Sequence, residues 1–284
     1  MTEKLNIIIV VANSILASFA IISFLWQYSR NKKQKFENKF YELLRMHRQN
    51  VDEMKLGSLE KREVFKGLYY EYYTYVEILN NYFALNSNLK TVIDSPNRMN
   101  LAYKIFFYGN EFNNTIDELK KLNLDHEERQ KLQQEINTKL AEYSKKSENK
   151  EFSYKTIANQ YFVLFTPYLG HSQQLGHYFR HLFQTVKFID NSNLKDKEKY
   201  NYVKILRAQL SDYEQLMFFY NAISDLGSAW FENRKDSLTV KYKLLKNIPL
   251  PYAMGYSPID KYREFEISEK QIKSDFEWFE RQKK

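Results

Sequence analysis

His177, Arg180 and His181 stand at i, i+3 and i+4, so a helix through them carries all three on one face. Two imidazoles and a guanidinium so placed could move a proton, hold an anion or ligate a metal. Further along, Arg207, Ser211, Glu214 and Asn221 stand at i, i+4, i+7 and i+14, a polar stripe set among Leu206, Leu210, Met217 and Phe218. Charges among such apolar neighbours need partners, because an unpaired buried charge is very costly. The economical pairing joins Glu214 to Arg180 or to a histidine across a helix interface. The result is an active or ligand site, or a structural polar network, and spacing alone favours the network.

Each catalytic reading of these residues lacks a part. Helical ribonucleases of the HEPN type use an Arg followed by four to six residues and a His, whereas here Arg180 adjoins His181 and no His follows Arg207. His177 and His181 have the separation of a zinc pair, with His171 nearby, but Tyr178 stands where HExxH requires Glu. No metal site is expected. A Ser-His-Asp hydrolase needs a GxSxG elbow, and a nucleotide-binding fold needs GxGxxG or GxxxxGK[ST]; the sequence contains none of these. With 0 Cys, disulfides, thiolate zinc sites and cysteine nucleophiles are excluded, which is compatible with a reducing compartment. No cofactor is expected, and an enzyme is less favoured than a protein acting by contact; if it is an enzyme, the class is a nuclease.

The elements that must position these residues are helices. The 284 residues are 43% hydrophobic and 17% aromatic, enough for a sizeable core, while 7 Gly and 5 Pro are too few for a many-stranded sandwich. Thr166 to Gly170 breaks the chain, and a helix follows from about Ser172 to Asp190, apolar at Leu175, Tyr178, Phe179, Leu182, Phe183 and Val186. After a polar turn, Asn191 to Asp196, one helix is predicted from Lys197 to about Asp225, antiparallel to the first. Upstream, Leu68, Tyr72, Tyr75, Ile78/Leu79 and Tyr82 recur at helical spacing, which favours a packed face over a stacking platform for single-stranded nucleic acid. Phe36, Phe40, Leu43/Leu44, His47, Val51 and Met54 form another stripe, continuing a helix toward Gly57, after which Ser58 is expected to cap the next. Ser95-Pro96 opens a helix to Tyr108, and residues 111–150 read as a charged helical insertion with a narrow edge of Leu132, Ile136, Leu140 and Tyr143.

The mean hydropathy of -0.63 hides an uncharged run, Leu5 to Trp26. As a helix its 22 residues cover roughly 33 Å, against roughly 30 Å of bilayer hydrocarbon. It is expected to be a single transmembrane helix rather than a cleaved signal peptide. Arg30, Lys32, Lys33, Lys35 and Lys39, opposed only by Glu37 between Gln27 and Phe40, place the chain from residue 27 onward in the cytoplasm and the basic run against anionic lipid head groups. Part of the net charge of +8 is thereby explained, which weakens a nucleic-acid reading.

The string LGHYFRHLFQTVKFID, then KYNYVKILRAQLSDYEQLMFFYNAIS and VKYKLLKNIP, closely resembles the bacterial phage abortive infection family, the AbiC-like proteins, over about Tyr161 to Pro249. The resemblance implies defence in which an infected cell stops growing or dies before phage matures. It supplies no established catalytic residues. The polar positions inside the matching strings are His177, Arg180, His181, Arg207 and Glu214, the catalytic candidates, with Gln209, Ser211, Tyr220, Asn221, Lys246 and Asn247 as binding candidates. The expected plan is all-α: a single N-terminal transmembrane helix at 5–26 followed by a cytoplasmic helical bundle, with juxtamembrane helices at 27–94 and the abortive-infection-like domain at 95–284. The expected partners are the lipid bilayer, a phage or host protein trigger, and further copies of the chain. The alternative is a membrane-tethered, HEPN-like ribonuclease toxin.

Overall fold

A chain with so few glycines and prolines has little to stop a helix once begun, and the first helix, α1, runs from Thr2 to Asp52. The fold is that of a computed structural model describing residues 2–86, 95–109, 124–147, 152–155, 160–163, 169–253 and 255–282. The chain divides into two units, Met1–Met46 and His47–Lys284.

In the first unit the side chains of Ile15, Leu16, Phe19, Ile22 and Leu25 are all more than half exposed. Toward the basic run, Arg30 lies over the Trp26 ring and Lys32 over Tyr28, at 5.2 and 4.5 Å. Within the expected transmembrane run, residues 5–12 lie outside those whose side chains are described; among the described residues, no helix is long and apolar enough to cross a membrane. The stripe along the end of α1 and just past it follows the sequence reading, with Phe40, Leu44, His47 and Val51 of the helix and Met54 after it all buried.

The second unit departs from expectation directly after α1. Ser58 does not begin a helix: Gly57 and Ser58 form the turn between β1, Lys55–Leu56, and β2, Leu59–Glu60, which pair antiparallel with Lys55 opposite Glu60. The positive φ of 59° at Gly57 is what a two-residue hairpin turn asks for. Helix α2, Glu63–Leu85, begins only after this hairpin and is buried along most of its length. Its aromatic residues are core, as predicted. Tyr72 meets Tyr103 and Phe106 of α3, Ser95–Tyr108, at 5.7 and 5.8 Å, and Tyr220 at 4.6 Å. Burying each such ring stabilises the fold by roughly 1.5–3 kcal/mol.

The described part of the charged insertion is α4, His126–Ser147, with Leu132 and Ile136 buried as its narrow edge and Tyr82 donating to the Glu128 carbonyl at 3.3 Å. Residues 111–123 and 148–150 lie outside the described residues. A hairpin that helical periodicity did not foresee comes next, β3, Phe152–Lys155, with β4, Gln160–Val163. The mostly helical class therefore holds, with two short hairpins added.

Helix α5, Ser172–Asp190, spans the expected residues and is docked at its start. Gly109 and Gly170 both take positive φ, 90° and 85°, and their backbones touch: a Cβ built on Gly170 would lie 2.6 Å from the Tyr108 carbonyl. This close approach lets the His171 amide donate to the Phe107 carbonyl at 2.8 Å. The single helix expected from Lys197 to Asp225 is two: α6, Asp196–Arg207, and α7, Asp212–Ile223. Ser211 restarts the chain by accepting from the Glu214 amide at 3.3 Å, while Glu214 Oε2 accepts from the Ser211 amide at 2.7 Å. Short helices complete the unit: α8, Leu238–Lys241, α9, Pro258–Glu264, α10, Glu269–Asp275, and α11, Glu277–Arg281.

Candidate functional site

Because the break before α7 makes Glu214 a first-turn residue, its carboxylate is drawn to the helix start rather than across to Arg180. Glu214 is fully buried. Its Oε1 accepts from the Tyr178 hydroxyl at 2.9 Å, Oε2 takes the Ser211 amide, and Arg62 Nε stands 3.7 Å from the same oxygen. Burial and then the neighbouring Glu214 charge push the Tyr178 hydroxyl well above its ordinary pKa, so Tyr178 stays a proton donor. The expected pairing of Glu214 with Arg180 or a histidine is thus replaced. Arg180 and His177 are exposed on α5, and a tyrosine one helical step away does the pairing.

Beside Arg62 lies a cleft of about 460 Å³, lined by the end of α1, the β1–β2 hairpin, the start of α2 and the α6–α7 turn. Gln209, in that turn, holds both of its arginines: its side-chain oxygen accepts from Arg48 Nε at 3.0 Å, and its backbone carbonyl accepts from Arg62 at 2.8 Å. His47 also lines the cleft and is 1% exposed. Its ring is 5.4 Å from Tyr178 and stacks on His181 at 6.3 Å with 16° between planes. Among the described residues, none hydrogen-bonds either ring nitrogen of His47. Burial, then the charges of His181, Arg62 and Arg48, lower its pKa from 6.5 to about 4, so the ring is neutral near pH 7.

The other predicted residues divide between structural duties. Arg207 is buried and donates to the carbonyls of Tyr242 and Lys243, at 3.2 and 2.7 Å, where Lys243 takes a positive φ of 50°. Lys243 in turn pairs with buried Asp275 at 2.8 Å. Tyr220 packs on Tyr72, and the buried Asn221 receives the Ser224 amide and hydroxyl on its backbone carbonyl. Lys246 and Asn247 hold the C-terminal carboxylates Glu280 and Glu277. His171 pairs with Glu71 at 3.0 Å, both nearly buried, which ties α5 to α2. Among the described residues, no group of three or more His, Cys, Asp or Glu could hold a metal ion.

Sequence reasoning therefore brought Gln209, Ser211, Glu214 and His181 to the site and missed His47, Arg48, Arg62 and the polar role of Tyr178. His47 carried a signal, as the one titratable member of an apolar stripe. Ser211 and Glu214 carried another, the S-x-x-E spacing of a capping box. Arg62 carried none, since it lies between a hairpin and a helix where charges are commonplace.

Residues 170–252 match a family described as "Putative phage abortive infection protein", which bears out the resemblance seen from about Tyr161 to Pro249. The matched stretch runs from the Gly170 contact through α5, α6, α7 and α8, and so contributes Tyr178, His181, Gln209 and Glu214 to the site. His47, Arg48 and Arg62 lie outside it. No curated protein and no solved structure matches the chain.

Proposed function

We propose that this protein defends a bacterial cell against phage by abortive infection, as a membrane-anchored sensor or effector that works through contact with a phage or host component. The observation that carries the reading is the family match over residues 170–252, within which Tyr178 and Ser211 hydrogen-bond the buried Glu214 carboxylate. Membrane anchoring is supported by the uncharged run Leu5–Trp26 and by the exposed apolar side chains along its described half. Trp26 and Tyr28 beside a basic run resemble the aromatic and cationic boundary of a membrane helix, with the basic side cytoplasmic. A ribonuclease would set His177, Arg180 or His181 in an open basic cleft. Here His177 and Arg180 are exposed on a helix surface and His181 is stacked on His47, which supports action by contact.

The test is infection of cells expressing the protein at low and high phage dose, following growth and membrane potential together. Abortive infection protects the culture at low dose and loses it at high dose, and deleting residues 2–26 releases the protein to the soluble fraction and weakens protection. Survival of infected cells at high dose would overturn the abortive mechanism. Full protection by the truncated chain would overturn the anchored one.

A further inference from the structure

We infer that a notch formed where the starts of α7 and α11 meet the segment 247–252 receives an arginine side chain presented by a partner polypeptide. Asp212, Glu277 and Trp278 line it together with Asn247, Ile248 and Tyr252 and two prolines of that segment. Its volume is about 200 Å³, below the roughly 300–1,000 Å³ of small-molecule sites, so it suits one long side chain better than a whole metabolite. Both charged residues lining it are acidic, in a chain whose net charge is +8. The lysines nearest in sequence, Lys243 and Lys246, are ion-paired with Asp275 and Glu280 at 2.8 and 2.7 Å.

The walls are fixed from outside the notch. The Tyr69 hydroxyl donates to the Tyr252 carbonyl at 2.7 Å, the Glu277 amide donates to the Lys246 carbonyl at 2.8 Å, and Ile248 is buried in the core. Glu277 Oε2 accepts from the Asn247 side-chain amide, which sets the direction of that carboxylate. Asp212 is exposed, and among the described residues its side chain makes no hydrogen bond or ion pair. Tyr252, 51% exposed, and Trp278 add ring surface. A guanidinium answers both features, since its planar fork bonds carboxylates and its face stacks on aromatic rings, whereas an ammonium supplies only a compact charge. Arginine is also among the residues that concentrate binding energy at protein interfaces. The nature of the partner rests on the reading of action by contact; the binding itself is measured without phage, so its failure leaves the defence reading standing.

Solution NMR on the full chain in detergent, with the tryptophan indoles ¹⁵N-labelled, tests it. The 3 Trp give three indole signals, and Trp278→Phe assigns the one at the notch. The probe is N-acetyl-arginine amide, compared with its uncharged citrulline isostere, with N-acetyl-lysine amide and with free arginine. A saturable shift of the Trp278 signal is expected, with Kd on the order of 1–10 mM for this single side chain, and none from the citrulline form. Asp212→Asn should weaken binding at least about fivefold by removing a charge-assisted contact, with the signal of buried Trp230 unmoved to show that the variant is folded. The citrulline comparison needs no variant at all. No saturable shift up to about 50 mM, equal binding of the citrulline form, or binding unchanged in Asp212→Asn would overturn the site. Lysine binding as tightly as arginine would overturn the guanidinium assignment, and free arginine binding more tightly than the blocked form would overturn a polypeptide source.

Discussion

His47 should make the folded protein sensitive to mild acid, and replacing it with Phe should remove that sensitivity. The ring is buried beside Tyr178 and His181 on α5, Arg48 on its own helix and Arg62 before α2. Its pKa falls from 6.5 to about 4 on folding, so the unfolded chain binds the proton more readily than the folded one. Stability present above pH 6.5 is then lost as the pH falls toward 4. Integrating over that window gives about 2 kcal/mol lost between pH 7 and pH 5, and about 3 kcal/mol in all by pH 4. Phe keeps a ring of similar size and cannot titrate. Urea unfolding of wild type and His47→Phe at pH 7, 6 and 5 isolates the effect, because every other titrating group is common to both proteins. The expected result is a stability difference that shifts by about 2 kcal/mol in favour of the variant between pH 7 and pH 5. Parallel pH profiles would show that His47 titrates normally, and the buried, field-depressed imidazole would be refuted.

Arg180→Ala should change stability by under about 0.5 kcal/mol because the side chain is exposed, whereas Glu214→Ala should cost about 2–4 kcal/mol by stranding the Tyr178 hydroxyl and removing a helix cap. For the same reason the reciprocal swap of Arg180→Glu with Glu214→Arg should fail to recover stability in thermal melts, and recovery would reinstate a direct pair. Gly170→Ala should destabilise by about 1–3 kcal/mol or more, since it forces a side chain into positive φ and onto the Tyr108 carbonyl; denaturant unfolding at unchanged m-value checks it. Arg207→Met should lower the melting temperature by removing the donor to two carbonyls, and increased proteolytic cleavage near residues 242–248 would locate the damage.

Much of the helical plan could be read from periodicity. Ser172–Asp190 and Ser95–Tyr108 emerged at nearly their true bounds, and the Tyr-rich stretch of α2 was recognised as core. Failures came where a local hydrogen bond outweighed the periodic pattern. The apolar stripe runs on past Leu206 and Leu210 as though one helix held it, yet the Ser211–Glu214 cap is satisfied only if the chain breaks there. Gly57 likewise turned an expected helix start into a hairpin. The site was half legible for a topological reason. Gln209, Ser211 and Glu214 are neighbours in sequence, whereas Arg48 and Arg62 reach Gln209 across separations of 161 and 147 residues, and His47 arrives with Arg48. Single-sequence spacing cannot register such a meeting. It assigned Glu214 to Arg180 or a histidine because a charge set among apolar residues needs a charged partner, and could not weigh Tyr178, which reads as apolar.

The meeting of Gly109 and Gly170 has a bearing on how this chain can be altered. The chain between them starts and ends at one point, closed by the bond from the His171 amide to the Phe107 carbonyl, and within it α4 is held to α2 by the Tyr82 hydroxyl on the Glu128 carbonyl. Lengthening such a closed excursion costs little, roughly 0.6 kcal/mol per doubling, because the ends are already fixed. The position next to Gly109 is thus a natural port: a foreign domain whose own termini lie close together could be spliced in there, reporting on the protein or tethering it, while leaving α4, α5 and the cleft in register with α2.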